Sequence, residues 1–272
     1  MRVPIAGRTR DRLFGVLDRT LRFTTSDDVV RTPYGDLRID PAHEPERLLS
    51  YLYHNVFAYY RTSELGLYMG RVAEPRATFV DVGANLGMFA LVARSYGFAT
   101  VVVEPEPKHA AFLTRNAEVF GTVIPVALSD QPGALPLYYE QGNSGSMSLF
   151  ATDAYQKGGE VPVTTFSELA RQGKLGRPEN IRLVKIDVEG FEAPMVRGMQ
   201  ELLQTGVRPH LWCELRGDRS GRNGGSFRLV RECLSEYGYR MMRLRKGREL
   251  PTTEQALAEL GVFDALFVPV GS

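Results

Sequence analysis

The sequence predicts an α/β protein: a mostly parallel sheet with helices on both faces, preceded by an N-terminal helical extension. Three observations predict it. From residue 62 onward, helix-period segments alternate with strand-like runs. The runs TFVDV (78–82) and IRLVKIDV (181–188) read as buried strands. Acidic residues recur at the carboxyl ends of the strands, at Asp81, Glu104, Asp130, Asp187 and Glu214, where open parallel sheets bind their ligands.

Residues 1–60 are the least regular part. A basic amphipathic helix is expected over 8–23, with Leu13, Val16, Leu17, Leu21 and Phe23 among arginines. A polar stretch with a turn at Pro33 to Gly35 follows, and then the aromatic run YLYHNVFAYY (51–60). This segment reads as an extension packed on the main domain or on a subunit partner; a membrane-surface helix is the alternative. The domain proper is expected over 61–272. Thr62 or Ser63 can cap a helix through about Val72. Strands are expected at 78–82, 100–104 and 122–128, separated by helices near 85–96 and 107–120. LPLYYE (135–140) and EVPVTTF (160–166) are candidate hairpin strands. The strand 181–188, a helix from Gly190 to Leu203 and the strand PHLWCEL (209–215) come next. The chain ends with a helix over 225–237, the strand YRMMRL (239–244), a polar excursion and the strand VFDALFVP (262–269).

Composition narrows the class of partner. At 272 residues and 43% hydrophobic, the chain can bury a substantial core, which excludes a disordered chain. Its 33 basic and 32 acidic residues carry no electrostatic signature for nucleic acid or an anionic membrane. A small-molecule or oligosaccharide partner is favoured, and a homo-oligomer is left open. Cys213 and Cys233 fall in a buried strand and an amphipathic helix, so free thiols and a cytoplasmic setting are expected. No stretch approaches the roughly 20 apolar residues of a membrane span.

The turn in TFVDVGANLG carries the first chemistry. Gly83 and Gly87 permit tight turning and close approach to a ligand. A dinucleotide site would need G-x-G-x-x-G, but Asn85 stands at the second glycine and Met88 at the third. Asp81, two residues before the first glycine, would repel a pyrophosphate and attract a cation. Glu104 lies 23 residues further on, a spacing at which an acidic residue commonly accepts hydrogen bonds from ribose hydroxyls. The ligand thus reads as a nucleoside with a positive tail, and S-adenosylmethionine fits.

The ordered series FVDVGANLG, VVVEPEP, LTRNAEVFG, VALSDQPG, GNSGSMSL, VPVTTFSEL, LVKIDVEGFE and WCEL, across about residues 78–216, resembles the FkbM-type family of class I S-adenosylmethionine-dependent methyltransferases. The resemblance implies a Rossmann-like fold with a seven-stranded sheet. It implies that Asp81, Gly83, Asn85 and Gly87 line the methionine end of the cofactor, Glu104 the ribose, and Ser129 with Asp130 the adenine edge. Ser167, in TTFSEL, departs from the family, which often has aspartate there.

Methyl transfer from a sulfonium is an in-line displacement, so the protein must align the acceptor and remove its proton. Asp187 and Glu189 in LVKIDVEGFE stand where the methyl should lie, and their spacing of two directs both to one side if the strand continues that far. Glu214 ends the next strand, so Asp187 and Glu214 could share a magnesium ion with the acceptor oxygen. The bland alternatives are that Glu189 caps the helix at Gly190 and that Glu214 pairs with Arg216 or Lys185. Of the histidines, His210 reads as packed, His109 lies early in a helix and His43 in a loop; His54 is the best candidate base. With Tyr59 and Tyr60 it could line an acceptor pocket, aromatic faces suiting sugar rings. GNSGSMSLF (142–150) has the composition of a mobile loop, from which Asn143, Ser144 and Ser146 could reach substrate hydroxyls.

The leading expectation is an O-methyltransferase acting on a hydroxyl of a sugar, glycan or secondary metabolite. An N- or C-methyltransferase of peptides or lipids, and a nucleoside-binding protein without turnover, are the alternatives.

Overall fold

The computed structural model describes residues 29–40, 59–140, 143–148, 155–218 and 226–271. The helix expected over 8–23 and the greater part of the aromatic run lie outside the described residues. Residues 29–38 form a β-hairpin around the turn expected at Pro33 to Gly35. Strand β1 (Val29–Thr32) pairs antiparallel with β2 (Gly35–Arg38), Thr32 opposite Gly35. Pro33 and Tyr34 form the loop, and the Thr32 hydroxyl accepts the Tyr34 N–H at 3.1 Å. A β-branched run closed by a Pro-Tyr-Gly turn favours this pairing over a helix.

Ser63 caps α1 (Glu64–Val72), its Oγ accepting the Gly66 N–H at 3.1 Å. β3 (Thr78–Val82) follows, buried throughout, and then α2 (Met88–Ser95), β4 (Ala99–Val103), α3 (Pro107–Arg115), α4 (Ala117–Phe120) and β5 (Thr122–Ile124). Glu106 caps α3 by accepting the His109 N–H at 2.7 Å, and Pro107 sits where its missing N–H is harmless. The single helix expected over 107–120 is broken at Asn116. Its side chain leaves the helix to accept the Arg38 N–H at 2.7 Å and donate to the Arg38 carbonyl at 2.9 Å, clasping the hairpin.

A second sheet comes next, built from β6 (Ala127–Leu128), β7 (Gly133–Glu140), β8 (Asn143–Ser148) and β9 (Tyr155–Thr164) in the order β6-β9-β7-β8. The segment expected as a mobile loop is therefore a strand. β8 pairs antiparallel with β7, which supplies the backbone partners that small polar side chains alone do not announce.

After α5 (Phe166–Arg171), the chain returns to the main sheet through β10 (Ile181–Ile186), α6 (Glu192–Arg197), α7 (Gln200–Gln204), β11 (His210–Arg216), α8 (Ser226–Ser235), β12 (Tyr239–Arg245), β13 (Arg248–Leu250), α9 (Glu254–Ala258) and β14 (Val262–Pro269). The helix expected from Gly190 to Leu203 is two short ones. A side chain at Gly198 would overlap the Ser129 carbonyl oxygen. Ser167 bridges the break, donating to the Gly198 carbonyl at 2.8 Å and accepting the Leu202 N–H at 3.1 Å. An ionised aspartate could not donate, so serine suits this buried position.

The main sheet runs β13-β12-β14-β11-β10-β3-β4-β5. Pairing is parallel from β11 to β5, and β14 enters antiparallel between β11 and β12. The three-residue edge strand β13 adds one to the seven expected. One face packs Val80, Val82, Val184, Ile186, Leu211 and Cys213 into the larger core; the other packs Phe79, Leu183, Trp212 and Leu266 under α1 and α2. The chain moves outward from β3 to β5 on one side and to β10 and β11 on the other. The strand order therefore reverses between β3 and β10, and ligands bind doubly wound sheets at such a switch point.

Candidate functional site

A crevice opens there, lined by Val82, Gly83, Asn85, Val103, Glu104, Pro105, Val126, Ala127, Leu128, Leu137 and Asp187 to Glu189. The close approach of the two strand ends explains Gly83. Its φ is +74°, and a Cβ there would overlap the Asp187 carbonyl oxygen. Asn85 takes φ +51°, a left-handed conformation asparagine tolerates, and this turns its N–H to Glu104 Oε2 at 2.8 Å.

Glu104 also accepts the Glu106 N–H at 2.9 Å. Burial pushes its carboxyl up to about 7, against those two hydrogen bonds. It is the polar group among the mostly apolar walls of Val103, Pro105, Val126 and Leu137. Leu137 comes from β7, so the second sheet completes the crevice. Tyr139, two residues along, donates to Glu106 at 3.3 Å.

Asp81 lies beneath the crevice, 1% exposed, and is not one of its lining residues. The cation beside it is the protein's own: Lys185 Nζ is 3.3 Å from Asp81 Oδ1, which corrects the argument that a ligand must supply that charge. Gly87 is also turned away, because a side chain there would run into the Phe120 ring. Ser129 and Asp130 likewise stand off the crevice lining. The Ser129 hydroxyl donates to Asp130 at 3.1 Å, and Asp130 pairs with Arg197 at 2.9 Å. Ala127 and Leu128, just before Ser129 and Asp130 in the chain, line the crevice instead.

Asp187, Glu189 and Glu214 converge, one oxygen of each lying within 4.8 Å of the others. The strand does not carry them there, since β10 ends at Ile186. The turn does: Glu189 takes φ +52°, and Glu192, 1% exposed, accepts the Gly190 N–H at 2.9 Å. Glu189 pairs with Arg216 at 2.6 Å and Asp187 with Lys185 at 3.2 Å. Glu214 has no ion pair among the described residues. Burial first, and then the carboxylates of Asp187, Glu189 and Asp264, push it up to about 8.

His54 and His43 lie outside the described residues, as do residues 149–154. Asn143, Ser144 and Ser146 are placed by their backbone on β8. Tyr59 is exposed, while the Tyr60 ring packs edge-on to Phe89 at 5.1 Å. His109 is buried in α3. His210 begins β11, at the other end of the strand from Glu214, and bonds the Tyr68 hydroxyl at 2.5 Å. Burial lowers it to about 4, so it is neutral at ordinary pH. Sequence reasoning offered Lys185 only as a partner for Glu214 and missed its ion pairs with Asp81 and Asp187 and its hydrogen bond to the Gly83 carbonyl at 3.2 Å. A lysine inside the apolar run LVKIDV was the available signal.

The strand order defines an α/β domain of the doubly wound class, with its crevice at the switch point. The pattern of the methyltransferase FkbM domain matches residues 81–241, more than half of the chain, and the chain belongs to this family of S-adenosylmethionine-dependent methyltransferases. It is 29% identical over 136 residues to hexuronic acid methyltransferase AglP of Haloferax volcanii, covering 49% of this chain and 54% of the relative. Methyltransferase 1 of Beauveria bassiana is 25% identical over 144 residues, 45% of this chain and 58% of the relative. The chain thus spans little more than half the length of these relatives. Among solved structures, the S-adenosylmethionine-bound magnesium protoporphyrin IX methyltransferase of Synechocystis PCC 6803 aligns over 99% of this chain and all of its own, at 12% identity and a TM-score of 0.39. This likeness is remote, and the strand order carries the fold by itself. No helix among the described residues is long and apolar enough to cross a membrane.

Proposed function

We propose that the protein transfers the methyl group of S-adenosylmethionine to a hydroxyl of a sugar. One observation carries the reading: the crevice that holds Glu104 opens, at Asp187 to Glu189, onto the carboxylates of Asp187, Glu189 and Glu214. The donor set fits the cofactor. Glu104 offers acceptor oxygens for the ribose hydroxyls, Val103, Val126 and Leu137 offer apolar walls for the adenine, and Gly83, Asn85 and Asp187 flank the aminoacyl end. When bound, the cofactor supplies an electrophilic methyl group.

The chain's own residues align the acceptor and take its proton. Asp187 is held by Lys185 and Glu189 by Arg216, which leaves Glu214 as the carboxylate best placed to accept a proton from a hydroxyl. The hexuronic acid named for the Haloferax relative supports a sugar acceptor. A second reading places a divalent cation among the three carboxylates, whose convergence and hard oxygen donors suit magnesium.

Calorimetry with S-adenosylhomocysteine tests the cofactor. A tritiated-methyl assay over methyl glycosides of neutral hexoses and of hexuronic acids tests the acceptor. Absence of S-adenosylhomocysteine binding by the wild-type protein would sink the reading entirely, and binding without transfer to any glycoside would sink the sugar acceptor.

A further inference from the structure

Lys185 is a buried cation that the cofactor contacts above leave without a role. Its side chain is 7% exposed, and its ammonium lies between two elements of the switch point, 3.3 Å from Asp81 on β3 and 3.2 Å from Asp187 after β10. It donates to the Gly83 carbonyl at 3.2 Å, and the Phe89 ring of α2 lies 5.7 Å from it on the helix side. Register places Lys185 directly opposite Asp81, so the contact follows from strand pairing. Burial opposes its charge, but the Asp187 and Asp81 carboxylates hold the ammonium above its ordinary range.

Two of the groups it fixes, Gly83 and Asp187, line the crevice, whereas Asp81 does not. A buried charge serving only to neutralise Asp81 would have no need to reach across to them. A hydrophobic pair of similar volume would fill the same space at no loss of stability.

We propose that Lys185 is the positioning residue for the aminoacyl end of the cofactor. Its ammonium holds the Asp187 carboxylate and the Gly83 carbonyl at one fixed separation, so that an incoming α-ammonium group meets a preformed pair of acceptors. This rests on the crevice being the S-adenosylmethionine site. The nucleoside end, built from Glu104, Val126 and Leu137, makes no direct bond to Lys185, whose charge reaches Glu104 only as the smallest of the influences on that carboxyl.

The test compares two ligands by calorimetry: S-adenosylhomocysteine, and 5′-methylthioadenosine, which has the nucleoside and the sulfur but no aminoacyl group. Lys185→Met should weaken S-adenosylhomocysteine by about tenfold or more and leave methylthioadenosine within about twofold of the wild type. Because that variant leaves Asp81 uncompensated, Asp81→Asn/Lys185→Met serves as the fold-preserving companion and should show the same selective loss. Equal weakening of both ligands, or wild-type affinity for S-adenosylhomocysteine in either variant, would overturn the proposal. Failure of the wild type to bind S-adenosylhomocysteine would instead remove the cofactor reading on which it stands.

Discussion

The Asn85 N–H donates to Glu104 Oε2 at 2.8 Å, tying the turn after β3 to the end of β4. The same carboxylate is buried and pushed up to about 7, so the fold holds it in a state that resists ionisation while the proposed ligand needs it ionised. A folded value above the ordinary 4.5 contributes stability that is fully present below pH 4.5 and lost as pH rises through about 7. Glu104→Gln does not titrate. The stability advantage of the wild type over this variant should therefore shrink between pH 4.5 and 8, by up to about 3 kcal/mol. Urea unfolding across that range checks it, and a gap independent of pH would contradict the assignment.

Ligand binding should show the complementary trend. Ribose hydroxyls donate to the ionised form, so S-adenosylhomocysteine affinity in the wild type should climb as pH rises through about 7 and then level off. In Glu104→Gln the affinity should be lower and flat over the same interval. Calorimetry in buffers of different ionisation enthalpy should also register proton release on wild-type binding near pH 6.5, absent from the variant.

Glu192 holds the turn that brings the acidic residues together. It is 1% exposed, and its Oε1 accepts the Gly190 N–H at 2.9 Å while Glu189 adopts φ +52°. Glu192→Gln keeps an acceptor oxygen in place and should unfold close to the wild-type denaturant midpoint. Glu192→Ala leaves a buried N–H without a partner and should lose about 1–3 kcal/mol. Equal midpoints for the two variants would show that the hydrogen bond does not hold the turn.

The crevice was legible where a single backbone demand selects a residue type. Gly83 is required by the approach of the Asp187 carbonyl, and Glu104 follows from the strand–helix–strand spacing. Asp81 was legible as a residue and misread in its partner, because strand register, which puts Lys185 opposite it, is not written in local composition. The same holds for Glu189 and Arg216, 27 residues apart and joined at 2.6 Å only once β11 lies beside β10. β8 was hidden because Gly, Ser and Asn resemble a loop until a neighbouring strand supplies hydrogen-bond partners. The helix breaks at Asn116 and Gly198 answer to contacts with β2 and with Ser129, and helical periodicity carries no trace of either.

Asn116 makes a two-bond clasp with Arg38, accepting at 2.7 Å and donating at 2.9 Å, and it donates as well to the Phe112 carbonyl at 2.9 Å. Val30, Leu37 and Ile39 of the hairpin pack behind it against Leu113, Val119 and Phe120. Asn116→Ala should therefore release the hairpin before the domain unfolds. Limited proteolysis should cut within residues 29–40 several times faster than in the wild type, with the main unfolding transition displaced by less. Unchanged cleavage would place the anchorage in the apolar contacts alone.

If the acceptor is a sugar, as proposed, the charge balance around the three carboxylates separates two kinds of it. Asp187, Glu189, Glu214 and Asp264 face three cations, Lys185, Arg216 and Arg243, and burial with the neighbouring Asp187 carboxylate also pushes Asp264 upward. A neutral hexoside meets no charge penalty there, and its hydroxyl can donate directly to Glu214. A hexuronate brings a further negative charge into an acid-rich site, and a divalent cation is what would offset the repulsion. Transfer of tritiated methyl to methyl glucopyranoside should thus survive EDTA unchanged, whereas transfer to methyl glucopyranosiduronate should fall at least about tenfold and return on adding magnesium. Loss of both activities on chelation would assign the cation to the chemistry itself, and loss of neither would leave the three carboxylates as proton acceptors alone. Glu214→Gln should depress transfer to both sugars, since it removes the proton acceptor in one case and a cation ligand in the other.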